Sequence, residues 1–98
     1  MLHTTKTYEI GNIVYFECFY RNMNGFPADP LDATWTIKNG KGVTVASGSP
    51  NKRQLGYWYC FWTPATVGDY ILIFSGTIED NPVTIRRRLK IIETRIQQ

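Results

Sequence analysis

Large apolar side chains recur at every second position in four short stretches: Val14, Phe16, Cys18 and Tyr20; Ala33, Trp35 and Ile37; Trp58, Cys60 and Trp62; Tyr70, Leu72 and Phe74. A strand points successive side chains to opposite faces, so each stretch carries one apolar face that must be covered. Stacking such faces against each other predicts a two-layer β-sandwich around one interior.

Glu17 sets the register of the first strong strand, residues 13–20. An unpaired carboxylate in a core is costly, so Val14, Phe16, Cys18 and Tyr20 face inward. Ile13, Tyr15 and Phe19 then share the other face, which is unusually aromatic for open solvent. Residues 21–32 hold Asn22, Asn24-Gly25, Pro27, Asp29 and Pro30, turn formers without an apolar period, and form the main loop. Alternation resumes at residues 33–38, and Asn39-Gly40-Lys41-Gly42 supplies a hairpin connection to a short strand at Val43-Thr44-Val45. Ser47-Gly48-Ser49-Pro50-Asn51 punctuates the chain, and a poorly patterned link runs from there to Leu55.

The densest aromatic segment is Tyr57-Trp58-Tyr59-Cys60-Phe61-Trp62, bulky on both faces and closed by Thr63-Pro64. One face enters the core; the other needs coverage or presents a sticky patch. Tyr70-Ile71-Leu72-Ile73-Phe74 is rich in strand formers and too short for a membrane helix. After a connection over residues 76–82, the last strand spans residues 83–92, with Ile85, Leu89 and Ile91 on one face and Arg86, Arg88 and Lys90 on the other. Arg87 interrupts the apolar face; sitting at the sheet margin, reaching past the core or pairing with a carboxylate would each accommodate it. A short edge segment is expected over residues 5–10, ahead of all of these, ending in a bend at Gly11-Asn12.

A chain of 98 residues is long enough for one such core and too short for two. The hydrophobic content of 43% argues against disorder. There is no long apolar run and no apolar signal segment at the start, so synthesis in the cytoplasm is expected, with final residence in an assembled particle left open. A net charge of +3 is a weak argument for nucleic acid. The charge is uneven, because Arg86, Arg88 and Lys90 form a basic stripe. Its ordinary reading is a solvated row that discourages sheet-to-sheet association; contact with phosphate or an acidic protein is the sharper one.

Candidate chemistry is sparse. Cys18 and Cys60 both fall on core faces, as buried thiols or, at a spacing that does not compel it, as a disulfide. There is no CxxC, and the only histidine, His3, sits in an expected loose end, so neither a zinc site nor cysteine catalysis is indicated. Asp29 and Asp32, and Glu79-Asp80-Asn81, lie in expected loops without the spacing of a calcium-binding loop. No catalytic residue, cofactor or metal is expected. The aromatic set Tyr15, Phe19, Tyr57, Tyr59 and Phe61 is the more informative group: an assembly contact, packing inside the domain, or a platform for carbohydrate or single-stranded nucleic acid.

The ordered pieces Tyr8-Glu9-Ile10-Gly11, Val14-Tyr15-Phe16-Glu17-Cys18, Asn24-Gly25 through Asp29-Pro30, Trp35-Thr36-Ile37-Lys38-Asn39-Gly40-Lys41, Gly56-Tyr57-Trp58 with Trp62-Thr63-Pro64, and Gly68-Asp69-Tyr70 resemble a family. It is that of the small immunoglobulin-like or fibronectin-type β-sandwich proteins encoded among tailed-phage and prophage virion genes, with a more distant likeness to bacterial surface immunoglobulin-like modules. The resemblance implies an antiparallel sandwich of about seven strands spanning residues 1–98, with loose ends at about 1–6 and 93–98. It also implies a non-catalytic structural or accessory protein-binding role, in a virion or otherwise, with self-association or protein partners and no membrane insertion. The alternative is a carbohydrate-binding or adhesive surface module. The partner surface expected from the residues comprises Tyr15, Phe19, Tyr57, Tyr59, Phe61, Arg86, Arg88 and Lys90. The disulfide-linked Cys-Trp-Cys arrangement of antibody domains is missing, which argues against immune recognition.

Overall fold

The computed structural model describes residues 5–93. Among these there are eight strands: β1 (Lys6–Glu9), β2 (Val14–Phe19), β3 (Leu31–Asn39), β4 (Thr44–Gly48), β5 (Asn51–Gln54), β6 (Tyr57–Trp62), β7 (Gly68–Ile78) and β8 (Asn81–Ile92). They form a larger sheet ordered β1-β8-β7-β3-β4 and a smaller one ordered β2-β6-β5. The chain is therefore all-β, with two sheets facing each other across one core.

The alternation read from the sequence builds that core. Val14, Phe16, Cys18 and Tyr20 are buried, while Tyr15, Glu17 and Phe19 between them are exposed. Tyr70, Leu72 and Phe74 of β7, Ile37 of β3, Cys60 of β6, and Leu89 and Ile91 of β8 complete the buried set with Ile78. Fully burying a Leu or Phe side chain stabilises a fold by about 1.5–3 kcal/mol. Leu72 and Phe74, both completely buried, therefore anchor the inner row of the larger sheet. Trp35, Trp58 and Trp62 pack around this cluster half-buried. The sheets are tied by the Tyr20 hydroxyl, which donates to the Ser75 carbonyl at 3.0 Å, and by edge-on ring contacts of Trp62 with Tyr70 and of Tyr8 with Phe16.

Four features differ from the sequence expectation. First, the arrangement is not wholly antiparallel, because β1 runs parallel to β8, pairing Lys6 with Leu89 and Glu9 with Ile92. The Ile10 N–H extends this alignment to the Ile92 carbonyl, and the Gly11 N–H then bonds the Pro64 carbonyl, so the bend moves the chain from one sheet to the other before β2 begins. Second, the strand count is eight rather than about seven, because the link through Arg53 forms β5, a wholly exposed polar edge strand. Third, residues 76–82 are not a connection: β7 and β8 pair continuously from Gly68–Ile91 to Ile78–Asn81 around a turn in which Glu79 and Asp80 both take positive φ. Fourth, β3 starts at Leu31, inside the stretch expected to be loop and ahead of the alternation at Ala33. Of the ends expected to be loose, 1–4 and 94–98 lie outside the described residues, His3 with them. Lys6 begins β1, and Glu93 follows β8.

Two local devices hold the connections to β6 and β7 in place. Gly56, buried at φ +73, is gripped by its neighbours: its carbonyl accepts the Tyr20 N–H at 2.7 Å, its N–H donates to Asp29 Oδ1 at 2.8 Å, and a Cβ there would stand 2.7 Å from the Tyr20 carbonyl oxygen. The second is the turn before β7, where the Tyr70 hydroxyl donates to the Thr66 carbonyl at 2.6 Å and so fixes the entry into that strand.

Candidate functional site: an aromatic sheet face

The outward row of β2 and the outward row of β6 lie side by side. Their register pairs Tyr15 with Phe61, Glu17 with Tyr59 and Phe19 with Tyr57. Because period-two alternation has already committed Phe16, Cys18, Trp58 and Cys60 to the interior, these five aromatic side chains have only the outer face to occupy. Phe19 and Phe61 remain about half exposed, at 50% and 51%, and Tyr15 at 37%. Among the described residues no strand packs over them, so their contacts inside the domain are with one another and with the side chains of Arg53 and Glu17.

Those contacts are extensive. Phe19 stacks on Tyr57 with centroids 4.7 Å apart; Tyr15 meets Phe61 at 5.3 Å and Tyr59 at 5.7 Å; Tyr59 meets Phe61 edge-on at 5.7 Å. Two charged groups punctuate the row. The Arg53 guanidinium, from the neighbouring β5, lies over three rings, 5.0 Å from the Tyr59 centroid, 5.7 Å from Tyr57 and 5.9 Å from Tyr15. The Glu17 carboxylate accepts the Tyr57 hydroxyl, which holds that phenol above its ordinary pKa and so protonated throughout the physiological range. A rigid ring lattice with a central cation and a flanking carboxylate can bury apolar area and orient a polar contact at small entropic cost.

Arg53 is the residue that sequence reasoning missed. It stands in an unpatterned polar stretch, and nothing in its spacing places it over an aromatic row two strands long. Its register, with Lys52 opposite Trp58 and Gln54 opposite Tyr57, bulges at Arg53 and turns it outward.

Arg86, Arg88 and Lys90 do not join this surface. They form one exposed row on β8, in the outer face of the larger sheet, opposite Ile73, Ile71 and Asp69 respectively. Lys38 of β3 lies across Ile71 from Arg88, and together with Asp69, Ile73 and Arg86 these residues line a shallow groove of about 580 Å³. The eight residues expected as one partner surface thus divide between the two outer faces of the molecule, the aromatics on one and the cations on the other. Their separation follows from sheet membership, which local periodicity does not encode.

The remaining candidate chemistry is structural. Cys18 and Cys60 are buried free thiols. Burial pushes their pKa values up, Cys18 to about 11 and Cys60 to about 12. In the register Cys60 faces Phe16 and Cys18 faces Trp58, so the two cysteines are diagonal rather than opposed. Asp29 accepts hydrogen bonds from the Gly56 N–H, the Trp58 indole N–H at 3.3 Å and Lys52 Nζ at 2.5 Å, which together hold its carboxyl below the usual range. Among the described residues, no three His, Cys, Asp or Glu side chains converge as a metal site, and no helix is long and apolar enough to cross a membrane. Neither a family model, nor a curated protein, nor a solved structure matches the chain.

Proposed function

We propose that this chain is a non-catalytic, immunoglobulin-like binding module whose aromatic sheet face docks onto a protein partner within a larger assembly. The single observation carrying this reading is the outward aromatic lattice in which Tyr15, Phe19 and Phe61 are exposed and Tyr57 and Tyr59 are partly buried between them, with Arg53 alone lying over it. Exposed aromatic patches of this density mark interaction surfaces, where Tyr, Phe and Arg are enriched. Arg53 at the centre and Glu17 at the flank supply the polar contacts that fix orientation.

The immunoglobulin-like assignment draws its support from the strand order. Sheets β2-β6-β5 and β8-β7-β3-β4 follow the B-E-D and G-F-C-C′ grouping of variable-type domains. Tyr70, near the start of β7 and bonded back to the Thr66 carbonyl, stands where such domains carry their tyrosine corner, and Trp35 lies on the strand that would carry the core tryptophan. Leu72 occupies the position of the second cysteine, so Cys18 has no disulfide partner there. An accessory role in a virion, of the kind the phage resemblance implies, is the assembly we favour.

The test is capture of partners from an extract of cells producing the native assembly, using three baits. Wild-type protein and an Arg86→Glu/Arg88→Glu variant are expected to retain the same partner, and a Phe19→Ser/Phe61→Ser variant of unchanged melting temperature is expected to lose it. Retention by the phenylalanine variant would overturn the reading. A second reading, carbohydrate binding, is favoured by the hydroxyl-bearing rings beside Arg53 and Glu17; glycan binding lost in the same phenylalanine variant would establish it in place of the first.

A further inference from the structure

One flank of the molecule is open between the two sheets. In the smaller sheet, β2 pairs with β6 on one side and, among the described residues, has no neighbour on the other. In the larger sheet, β1 pairs with β8 from Leu89 to Ile92, and among the described residues β8 has no neighbour on that side from Asn81 to Arg88. Two unprotected edges therefore face the same gap, a configuration that proteins ordinarily blunt.

The backbone of β2 is arranged to be paired. The Tyr20 N–H bonds the Gly56 carbonyl on the β6 side of the strand. Because successive residues of an antiparallel strand direct their N–H and C=O groups to alternate sides, those of Tyr15, Glu17 and Phe19 point to the open side. The gap beside them is a cleft of about 260 Å³, whose walls include Tyr8, Phe16 and Leu72 and whose cationic lining is Lys6, Arg87 and Arg88. Glu17 also reaches its rim, but that carboxylate is occupied by the Tyr57 hydroxyl. Arg87 falls in register with the inner row of β8, between Ile85 and Leu89, but its side chain is exposed at this open flank. Its guanidinium donates to the Arg86 carbonyl at 3.3 Å, and the one ion pair among the described residues is Lys52 with Asp29. Three cations with no carboxylate bonded to them thus border a cleft with apolar walls, beside a strand edge with three backbone positions unpaired among the described residues.

We propose that the β2 edge accepts an extended segment of a partner protein as an additional strand, with an acidic side chain of that segment entering the cleft to pair with Arg87 and Lys6. The proposal rests on the protein-binding reading above and names the partner's chemistry: a strand whose inward row is apolar except for one carboxylate. Backbone pairing supplies the affinity and the cleft supplies the selection. The partner carboxylate gives Arg87, solvated in the free protein, a counter-charge that the described residues of this chain do not supply.

The experiment uses two synthetic heptapeptides, Thr-Val-Thr-Glu-Thr-Val-Thr and Thr-Val-Thr-Lys-Thr-Val-Thr, blocked at both ends and added at millimolar concentration to the isotopically labelled full chain. The glutamate peptide is expected to protect the amides of Tyr15, Glu17 and Phe19 from hydrogen exchange, and to bind about tenfold more tightly than the lysine peptide. Arg87→Glu is expected to reverse that preference, and Arg87→Gln to abolish it should the glutamate variant fail to fold. No protection of the three amides, or equal binding of the two peptides, would overturn the proposal. Protection appearing in the protein alone and rising with its concentration would overturn it in favour of a second copy. The Phe19→Ser/Phe61→Ser variant keeps the cleft, so peptide binding retained there while partner capture is lost separates this proposal from the aromatic-face reading.

Discussion

Asp29 holds the N–H of Gly56 at 2.8 Å, joining the long loop after β2 to the turn that opens β6. That contact organises the base of the aromatic face, because Gly56 also receives Tyr20 and immediately precedes Tyr57. Asp29→Ala leaves the buried Gly56 amide and the Trp58 indole without this acceptor, and losing such a charge-assisted bond costs about 2 kcal/mol. A lower urea midpoint at unchanged slope is the expected result, read by tryptophan fluorescence.

The same carboxyl makes stability depend on acid. Its folded pKa is depressed, first by the Gly56 N–H and then by Lys52, so its contribution is present above the unfolded value of about 3.9 and is lost as the pH falls through the folded one. Chemical denaturation between neutral pH and acid should show wild type losing stability over that range. The Asp29→Asn variant should lose less, and the two curves should converge at the acid end.

Gly56→Ala is expected to be among the most damaging single substitutions. The added methyl meets the Tyr20 carbonyl and Ala28 backbone rather than any yielding side chain, and the residue sits at positive φ. Backbone strain of that kind costs about 1–3 kcal/mol before the collision is counted. Thermal melting should show a clear fall, whereas alanine at the exposed Gly25, where the left-handed backbone is the only obstacle, should cost less.

The two thiols are expected to be inert in the folded protein. With pKa values raised to about 11 and about 12 by burial, Cys18 and Cys60 favour the fold below the unfolded thiol value of about 8.5 and progressively cease to do so as the pH rises toward their folded values. A thiol-reactive chromophore at neutral pH should label neither cysteine until denaturant is added, and the urea midpoint should decline in alkali. Rapid labelling of the native chain would contradict the buried placement.

Tyr57 offers an optical handle on the candidate surface. Its phenol is held above the ordinary range chiefly by donating to Glu17. In a spectrophotometric titration, Glu17→Gln should bring one tyrosine ionisation down toward the normal value without changing the far-ultraviolet circular dichroism. A titration identical to wild type would mean that the Tyr57–Glu17 bond does not persist in solution.

How much of this was legible in the chain depended on whether a residue's role was local. Glu17 alone settles the inward row of β2, and Tyr70, Leu72 and Phe74 announce theirs by alternation. β5 was invisible, because Asn51, Lys52, Arg53 and Gln54 carry no apolar face at all; only the edge of β6 makes them a strand. The β7–β8 turn was also hidden, since Glu79 and Asp80 adopt the positive φ that hairpins usually assign to Asn or Gly. The five aromatics of the candidate site could be named, but not the Arg53 that interleaves them. The separation of Arg86, Arg88 and Lys90 to the opposite face required knowing which sheet each strand joins.

The parallel alignment of β1 with β8 has a mechanical consequence. Tension applied through Lys6 and Ile92 pulls the two strands past each other along their length, so the bonds linking them are loaded together in shear instead of being peeled apart one by one. A module threaded into a filament, a tail or a surface fibre through these two points would resist extension at the clasp first. Proline at Tyr8, whose N–H lies on the β8 side of the strand with that of Ile10, removes a donor from that clasp and should lower the rupture force in single-molecule pulling far more than it lowers the melting temperature.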